Sequence, residues 1–99
     1  MVITMVERID SKNGGKFTIR FCHKAPIGHT VSLAGVFNDW DPAKNAMLHD
    51  GEAYCCMIEL PPGEYEYKLV VDGEWMLDED NPNFVSNDFG TLNSVVIVK

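Results

Sequence analysis

Apolar and polar residues alternate along several short runs of the chain, and turn-forming residues separate these runs. Residues 16–23, for example, place Phe17, Ile19 and Phe21 on one face, and such alternation is typical of half-buried β-strands. No window shows sustained helical periodicity. Similar runs lie at 2–9, 30–37, 53–60, 64–71, 74–77 and 93–98. About seven short strands with regular turns predict an all-β fold, arranged as an aligned β-sandwich.

The clearest turn signal is Asp72-Gly73, which lies between two of the apolar runs. A two-residue loop at this point sets Val70 opposite Trp75 in a β-hairpin. Because side chains alternate along each strand, the apolar face of this hairpin is predicted to enter the core. That face carries Tyr65, Tyr67, Leu69, Val71 and Met76.

Two tryptophans are candidates for ligand contact. The hairpin register points Trp75 away from the core, beside its diagonal neighbour Lys68. An outward indole can pack against the apolar C–H groups of a sugar ring, and the lysine can donate to its hydroxyls. Trp40, between Asp39 and Asp41, lies in a polar loop. For both tryptophans, packing as a structural cover over the sheet or the rim is an equally good interpretation.

Composition and charge limit the classes of partner. The chain has 99 residues, of which 45% are hydrophobic and 23% charged, as expected for one globular domain spanning residues 1–99. Its 8 basic and 15 acidic residues give a net charge of −7. This balance argues against nucleic acid and against anionic membrane surfaces, whereas neutral sugars are indifferent to it.

The three cysteines, Cys22, Cys55 and Cys56, are odd in number and two are adjacent. This pattern indicates no disulfide framework. If 53–60 is a strand, Cys56 is a small core residue and Cys55 points the other way. No signal peptide and no apolar run of membrane-spanning length are evident, so the expected compartment is the cytoplasm.

The acidic residues suggest neither a metal site nor a catalytic site. Asp78, Asp80 and Asn83 lack the glycine and the distant glutamate of a calcium loop, and Pro82 interrupts them, so a solvated acidic loop is expected. A surface platform on a small sandwich offers no cleft for a glycosidase pair. No catalytic triad or phosphate loop is present, and we expect no enzymatic activity, metal or cofactor.

Four segments of the chain form a recognisable set: 31–40 (VSLAGVFNDW), 60–68 (LPPGEYEYK), 71–75 (VDGEW) and 89–96 (FGTLNSVV). Their order and spacing resemble those of carbohydrate-binding module family 48, and the resemblance runs from about residue 30 to residue 98. That family includes the glycogen-binding domain of the AMP-activated kinase β subunit and the early-set domains before branching and debranching enzymes.

The resemblance implies an immunoglobulin-like early-set sandwich that binds glycogen, starch or malto-oligosaccharides without catalysis. Two tryptophans would stack on sugar rings, and polar side chains would contact hydroxyls. Phe89 stands where a kinase-type domain has a leucine that pushes through a cyclic ligand. The residues implied in carbohydrate binding are Trp40, Lys68, Trp75, Phe89, Thr91 and Asn93.

A second hypothesis is a protein-interaction or regulatory module. Early-set sandwiches also serve as docking domains, and an exposed tryptophan pair suits a protein interface equally well. The partner would be a glucan-metabolising enzyme or a kinase. The response of tryptophan fluorescence to maltoheptaose distinguishes this hypothesis from glucan binding.

Overall fold

The computed structural model describes residues 4–79 and 81–99, with side chains from Gly14 onwards. A short 3-10 helix covers Val36–Asn38. The described residues form ten strands rather than about seven, because β4, β5 and β9 are only two or three residues long, too short to leave a periodic pattern. The strands are β1 (Thr4–Asn13), β2 (Lys16–Lys24), β3 (Val31–Gly35), β4 (Asn45–Ala46), β5 (Leu48–His49), β6 (Ala53–Leu60), β7 (Gly63–Val71), β8 (Glu74–Met76), β9 (Phe84–Ser86) and β10 (Leu92–Val98).

Two antiparallel sheets face each other, which confirms the predicted all-β sandwich. One sheet has the order β1-β2-β6-β5, and the other has the order β4-β3-β7-β10-β9 with β8 also paired to β7. Inward side chains from both sheets form one core, in which Phe21 and Tyr67 meet edge to face with ring centroids 5.1 Å apart. The other fully or largely buried members are Ile19, Val31, Leu33, Met47, Tyr54, Leu60, Leu69, Val96 and Val98.

The hairpin between β7 and β8 has the predicted register, with Val70 opposite Trp75. Its two loop residues, Asp72 (φ 51°) and Gly73 (φ 83°), both have left-handed backbone, as a type I′ turn requires. The prediction that Met76 is a core residue is wrong, because its side chain is 39% exposed. All three residues of β8 are exposed, so this strand extends past the covered part of the sheet.

The expectation of no disulfide is also wrong, because Cys22 and Cys55 are joined in one. They lie directly opposite each other on β2 and β6, with Cα atoms 4.2 Å apart. The number and spacing of cysteines do not show which strands are neighbours, so the sequence could not predict this pairing. Cys56 packs against the core as predicted, and burial raises the pKa of its thiol to about 11.

Asp78 belongs to a buried polar cluster and not to a solvated loop, so that expectation is wrong for this residue. It is 1% exposed, and its Oδ2 accepts a hydrogen bond of 2.6 Å from the Tyr67 hydroxyl. Its backbone N–H donates to Ser94 Oγ over 2.9 Å. Burial, together with the Asp78 charge, raises the pKa of Tyr67 well above its usual range. Asp80, also assigned to that loop, lies outside the described residues.

Replacing Tyr67 by phenylalanine should destabilise the fold. Tyr67→Phe removes a hydroxyl that donates to a buried carboxylate, and losing such a bond costs about 1.5–3 kcal/mol. Urea unfolding at pH 7 measures the loss. Tyr65→Phe is the matched control, because the Tyr65 hydroxyl donates to the Pro61 carbonyl oxygen in an exposed position, and it should cost less than about 1 kcal/mol. Equal losses in the two variants would contradict the role given to the buried bond.

Thiol labelling tests the cysteine assignments. After unfolding without reductant, the oxidised protein should show a single thiol, and Cys56→Ser should show none. In the folded protein at pH 7.5, Cys56 should react with iodoacetamide on the order of 100-fold more slowly than an unperturbed thiol, because its raised pKa leaves little thiolate. Three labelled thiols after oxidation of the purified protein would refute the Cys22–Cys55 bond.

Candidate functional site

A cavity of about 770 Å³ opens on the outer face of the six-stranded sheet. The sequence hypothesis missed four of its residues, Glu66, Ser86, Asn87 and Asp88. Glu66 alone carried a signal, because it shares the outward face of β7 with Lys68. The structure brings all six predicted side chains to this cavity: Trp40, Lys68, Trp75, Phe89, Thr91 and Asn93.

Trp75 is held at the cavity by the turn that precedes it. Asp72 Oδ1 accepts the Thr30 N–H over 2.9 Å, and Asp72 Oδ2 lies 2.7 Å from His29 Nδ1. These bonds fasten the hairpin to the segment before β3. Both bonds lower the pKa of Asp72, and the one from His29 has the larger effect. Trp75 is 46% exposed and lines the cavity, so part of the residue is accessible to a ligand.

Trp40 reaches the cavity through a tight turn. Asp39 and Trp40 both have φ 58°, and left-handed backbone costs a non-glycine residue about 1–2 kcal/mol. Hydrogen bonds hold the turn against this strain: the Trp40 N–H donates to the Gly35 carbonyl oxygen over 2.9 Å. The buried Asn38 accepts from the Gly35 N–H over 3.0 Å and donates to the Leu33 carbonyl oxygen over 3.0 Å.

Gly35 allows this turn to close against β7. A Cβ at this position would lie 2.7 Å from the Glu66 carbonyl oxygen and 2.8 Å from Tyr67 Cβ, distances that real Cβ atoms do not reach. The end of β3 therefore packs directly on the backbone of the strand that carries Lys68. This glycine thus brings the Trp40 turn beside β7.

The polar side chains of the cavity form a chain of hydrogen bonds. Lys68 Nζ donates to Thr91 Oγ1 over 3.0 Å at one end, and Asn93 Nδ2 donates to Glu66 Oε1 over 3.0 Å at the other. Asn87 Nδ2 joins the two halves, 2.7 Å from Thr91 Oγ1 and 3.0 Å from Asn93 Oδ1. The polar groups are thus fixed relative to one another before any ligand binds.

Phe89 is the most exposed large apolar side chain among the described residues, at 91%. It stands on a short loop that closes when the Gly90 N–H donates to the Asn87 carbonyl oxygen over 3.3 Å. A phenyl ring left almost wholly in water gains nothing from the fold itself. The residue lies at the cavity and is almost fully accessible to solvent.

Taken together, the cavity offers apolar ring faces, hydrogen-bond donors and two carboxylates, Glu66 and Asp88. In the part of the chain that the structure describes, no three His, Cys, Asp or Glu residues are grouped to hold a metal ion. No helix among these residues is long and apolar enough to cross a membrane. The arrangement suits a neutral ligand with both apolar faces and hydroxyl groups.

The Asp72 anchor should make stability depend on pH. Because the pKa of Asp72 is lower in the folded protein than its ordinary value of 3.8, its contribution is complete above that value and is lost as pH falls through the folded pKa. Asp72→Asn keeps a residue that tolerates the left-handed turn but removes the charge. The wild type should have the higher urea midpoint at pH 7, and the two midpoints should converge as pH falls below the folded pKa of Asp72. A difference independent of pH would contradict the anchor.

Comparisons with known proteins agree with this geometry. A family model described as the glycogen recognition site of AMP-activated protein kinase matches residues 16–99. Similar relatives are 5'-AMP-activated protein kinase subunit beta-1 of Sus scrofa, at 36% identity over 72 residues, and of Bos taurus, at 38% over 72 residues. Subunit beta-2 of Mus musculus is 35% identical over 72 residues.

Each match covers 73% of this chain. The matched region spans 57% of the Sus scrofa protein and 26% of the other two. The chain therefore matches only part of the length of each of these relatives. By the extent of the family match, the chain belongs to the family of the glycogen recognition site of AMP-activated protein kinase, as its resemblance to carbohydrate-binding module family 48 predicted.

Proposed function

We propose that residues 1–99 act as one non-catalytic module that binds α-glucan, such as glycogen, starch or malto-oligosaccharides. The observation that carries this proposal is that Trp40, Trp75 and the polar chain from Lys68 to Glu66 line one and the same cavity. Glucose rings present apolar C–H faces and equatorial hydroxyls, and this cavity offers a partner for each. Membership in a glycogen-recognition family supports the same ligand.

Each side chain has a part in this proposal. The indole faces of Trp40 and Trp75 pack against sugar C–H groups, and Phe89 contacts an adjacent ring. Lys68, Thr91 and Asn93 form hydrogen bonds with hydroxyls. A shallow and wet site on a flexible chain gives a Kd of about micromolar to millimolar. Repeated binding sites along one glucan raise the avidity without any new contact.

We propose no catalytic role for the two carboxylates of the cavity. Glycoside hydrolysis needs an acid and a base or nucleophile held on opposite sides of the scissile bond. Glu66 is hydrogen-bonded to Asn93, and Asp88 lies on the exposed loop beside Phe89. Both line the same cavity, and we assign them to the polar lining of the binding site. The net charge of −7 also favours a neutral ligand over nucleic acid or an anionic membrane.

A second candidate function is docking on a glucan-metabolising enzyme or a kinase. It is favoured by two exposed apolar side chains, Leu48 (76%) and Met57 (63%), on the outer face of the four-stranded sheet. This face is opposite the cavity, so docking and glucan binding could occur together. The similar relatives are named as kinase subunits, which makes a kinase one class of partner to test.

We propose the cytoplasm as the compartment. Reducing conditions there keep most thiols free. Cys22 and Cys55 should therefore be reduced thiols in the cell and form their disulfide after oxidation. Alkylation of cells quenched in acid, followed by mass measurement of the protein, tests this. A bond already present in the quenched cells would favour an oxidising compartment.

Titration with maltoheptaose tests the glucan proposal. Tryptophan fluorescence should respond saturably, and Trp75→Ala should weaken binding about 30-fold, as expected when a central aromatic contact worth about 2 kcal/mol is lost. Trp40→Ala should likewise lose retardation in an amylopectin gel. Phe84→Ala is the matched control, because Phe84 is an aromatic residue 54% exposed that does not line the cavity. No response of the wild type at millimolar sugar would favour the docking function instead.

A further inference from the structure

Asn87, which follows β9, uses all the hydrogen-bonding capacity of its side chain within the site. A side-chain amide has two donor hydrogens and an acceptor oxygen with two lone pairs. Asn87 Oδ1 accepts the Phe89 N–H over 2.9 Å and the Thr91 N–H over 3.1 Å. Asn87 Nδ2 donates to Thr91 Oγ1 over 2.7 Å and to Asn93 Oδ1 over 3.0 Å. Nothing remains for a ligand.

The orientation of this amide follows from its partners. Backbone N–H groups can only donate, so the atom that faces Phe89 and Thr91 is the oxygen of Asn87. The nitrogen must then donate to Asn93 Oδ1, which leaves Asn93 Nδ2 to donate to Glu66 Oε1. A single amide therefore fixes the orientation of the next one.

The consequence for Thr91 is a fixed polarity. Its Oγ1 accepts from Asn87 Nδ2 and from Lys68 Nζ, which occupies both lone pairs. Only the O–H hydrogen is left, so Thr91 can meet a sugar only as a donor. At the other end of the chain, the ionised Glu66 can only accept.

We propose that Asn87 is the positioning residue that sets the donor and acceptor polarity of the glucan site. It makes Thr91 a donor on the Lys68 side, leaves Glu66 as the acceptor on the opposite side, and holds the loop that exposes Phe89. The preferred glucan thus presents hydroxyl oxygens as acceptors at Thr91 and a hydroxyl hydrogen at Glu66. This inference rests on the proposed glucan binding and names residues that determine its specificity.

Asn87→Asp separates the two parts of this role. The aspartate keeps an acceptor for the Phe89 and Thr91 N–H groups but replaces both donor hydrogens by an oxygen. The Thr91 hydroxyl then donates to the new carboxylate and is withdrawn from the sugar. Maltoheptaose affinity should fall about tenfold, the loss expected for one hydrogen bond, while the urea midpoint stays near that of the wild type.

Asn83→Asp is the matched control for charge. It makes the same chemical change on the same segment of chain, and Asn83 does not line the cavity. Its affinity for maltoheptaose should equal that of the wild type. An equal loss in the two variants would overturn the proposal, because it would show a general effect of charge.

A double-mutant cycle with Thr91→Val distinguishes positioning from a merely structural role. Thr91→Val alone should weaken binding about tenfold, and adding Asn87→Asp should cause little further loss, because the hydroxyl on which Asn87 acts is gone. Another full tenfold loss would overturn the proposal. If Asn87→Asp fails to fold, Thr91→Ser and Thr91→Val are compared: Thr91→Ser keeps the hydroxyl and should bind about tenfold more tightly than Thr91→Val, and equal affinities for the two variants would overturn the donor assignment.

The two proposals can fail separately. If the wild type binds maltoheptaose and Asn87→Asp binds it equally well, the positioning role is overturned and glucan binding stands. If the wild type does not bind maltoheptaose at millimolar concentration, both proposals are overturned.

Discussion

The alternation of side chains along β7 determines both the core and the candidate site. Tyr67 and Leu69 point inward, where Tyr67 meets Phe21 in the core, while Glu66 and Lys68 point outward to the cavity. A shift of one residue in register would exchange the two faces. One edge of β7 pairs with β3, and the other edge pairs with β10 and β8. Since these pairings hold the strand in place, burial of the inward residues also orients the outward ones. Core packing thus determines the direction in which the polar side chains of the site point.

The features that sequence could predict are those determined locally. The register that points Trp75 outward depends on one two-residue turn and on the alternation of two short strands. Both are properties of contiguous residues, and the structure has the same register. Met76 shows the limit, because alternation gives the face of a strand but not whether the opposite sheet covers it. Length sets a second limit: β4, β5 and β9 have only two or three residues each, too few to show an alternating pattern.

The features that sequence could not predict depend on pairs of residues brought together by the fold. Cys22 and Cys55 are separated by 33 positions, and only the pairing of β2 with β6 brings them together. The sequence around Asp78 indicates an acidic loop, and its burial becomes evident only from its hydrogen bonds with Tyr67 and Ser94. Convergence of Trp40 with the other site residues was expected from the family resemblance alone, because no local rule relates its loop to β7.

Two asparagines hold the two loops of the site in the same physical way. Asn38 hydrogen-bonds backbone groups of the turn that carries Trp40, and Asn87 does so for the loop that carries Phe89. In each case one amide stabilises a conformation that is otherwise unfavourable: left-handed backbone at Trp40, and an exposed phenyl ring at Phe89. A flexible glucan loses conformational freedom on binding, and a shallow site has few contacts to offset that loss. Loops ordered during folding avoid a second loss on the protein side, so the rigidity given by Asn38 and Asn87 contributes to affinity although neither amide needs to contact the sugar.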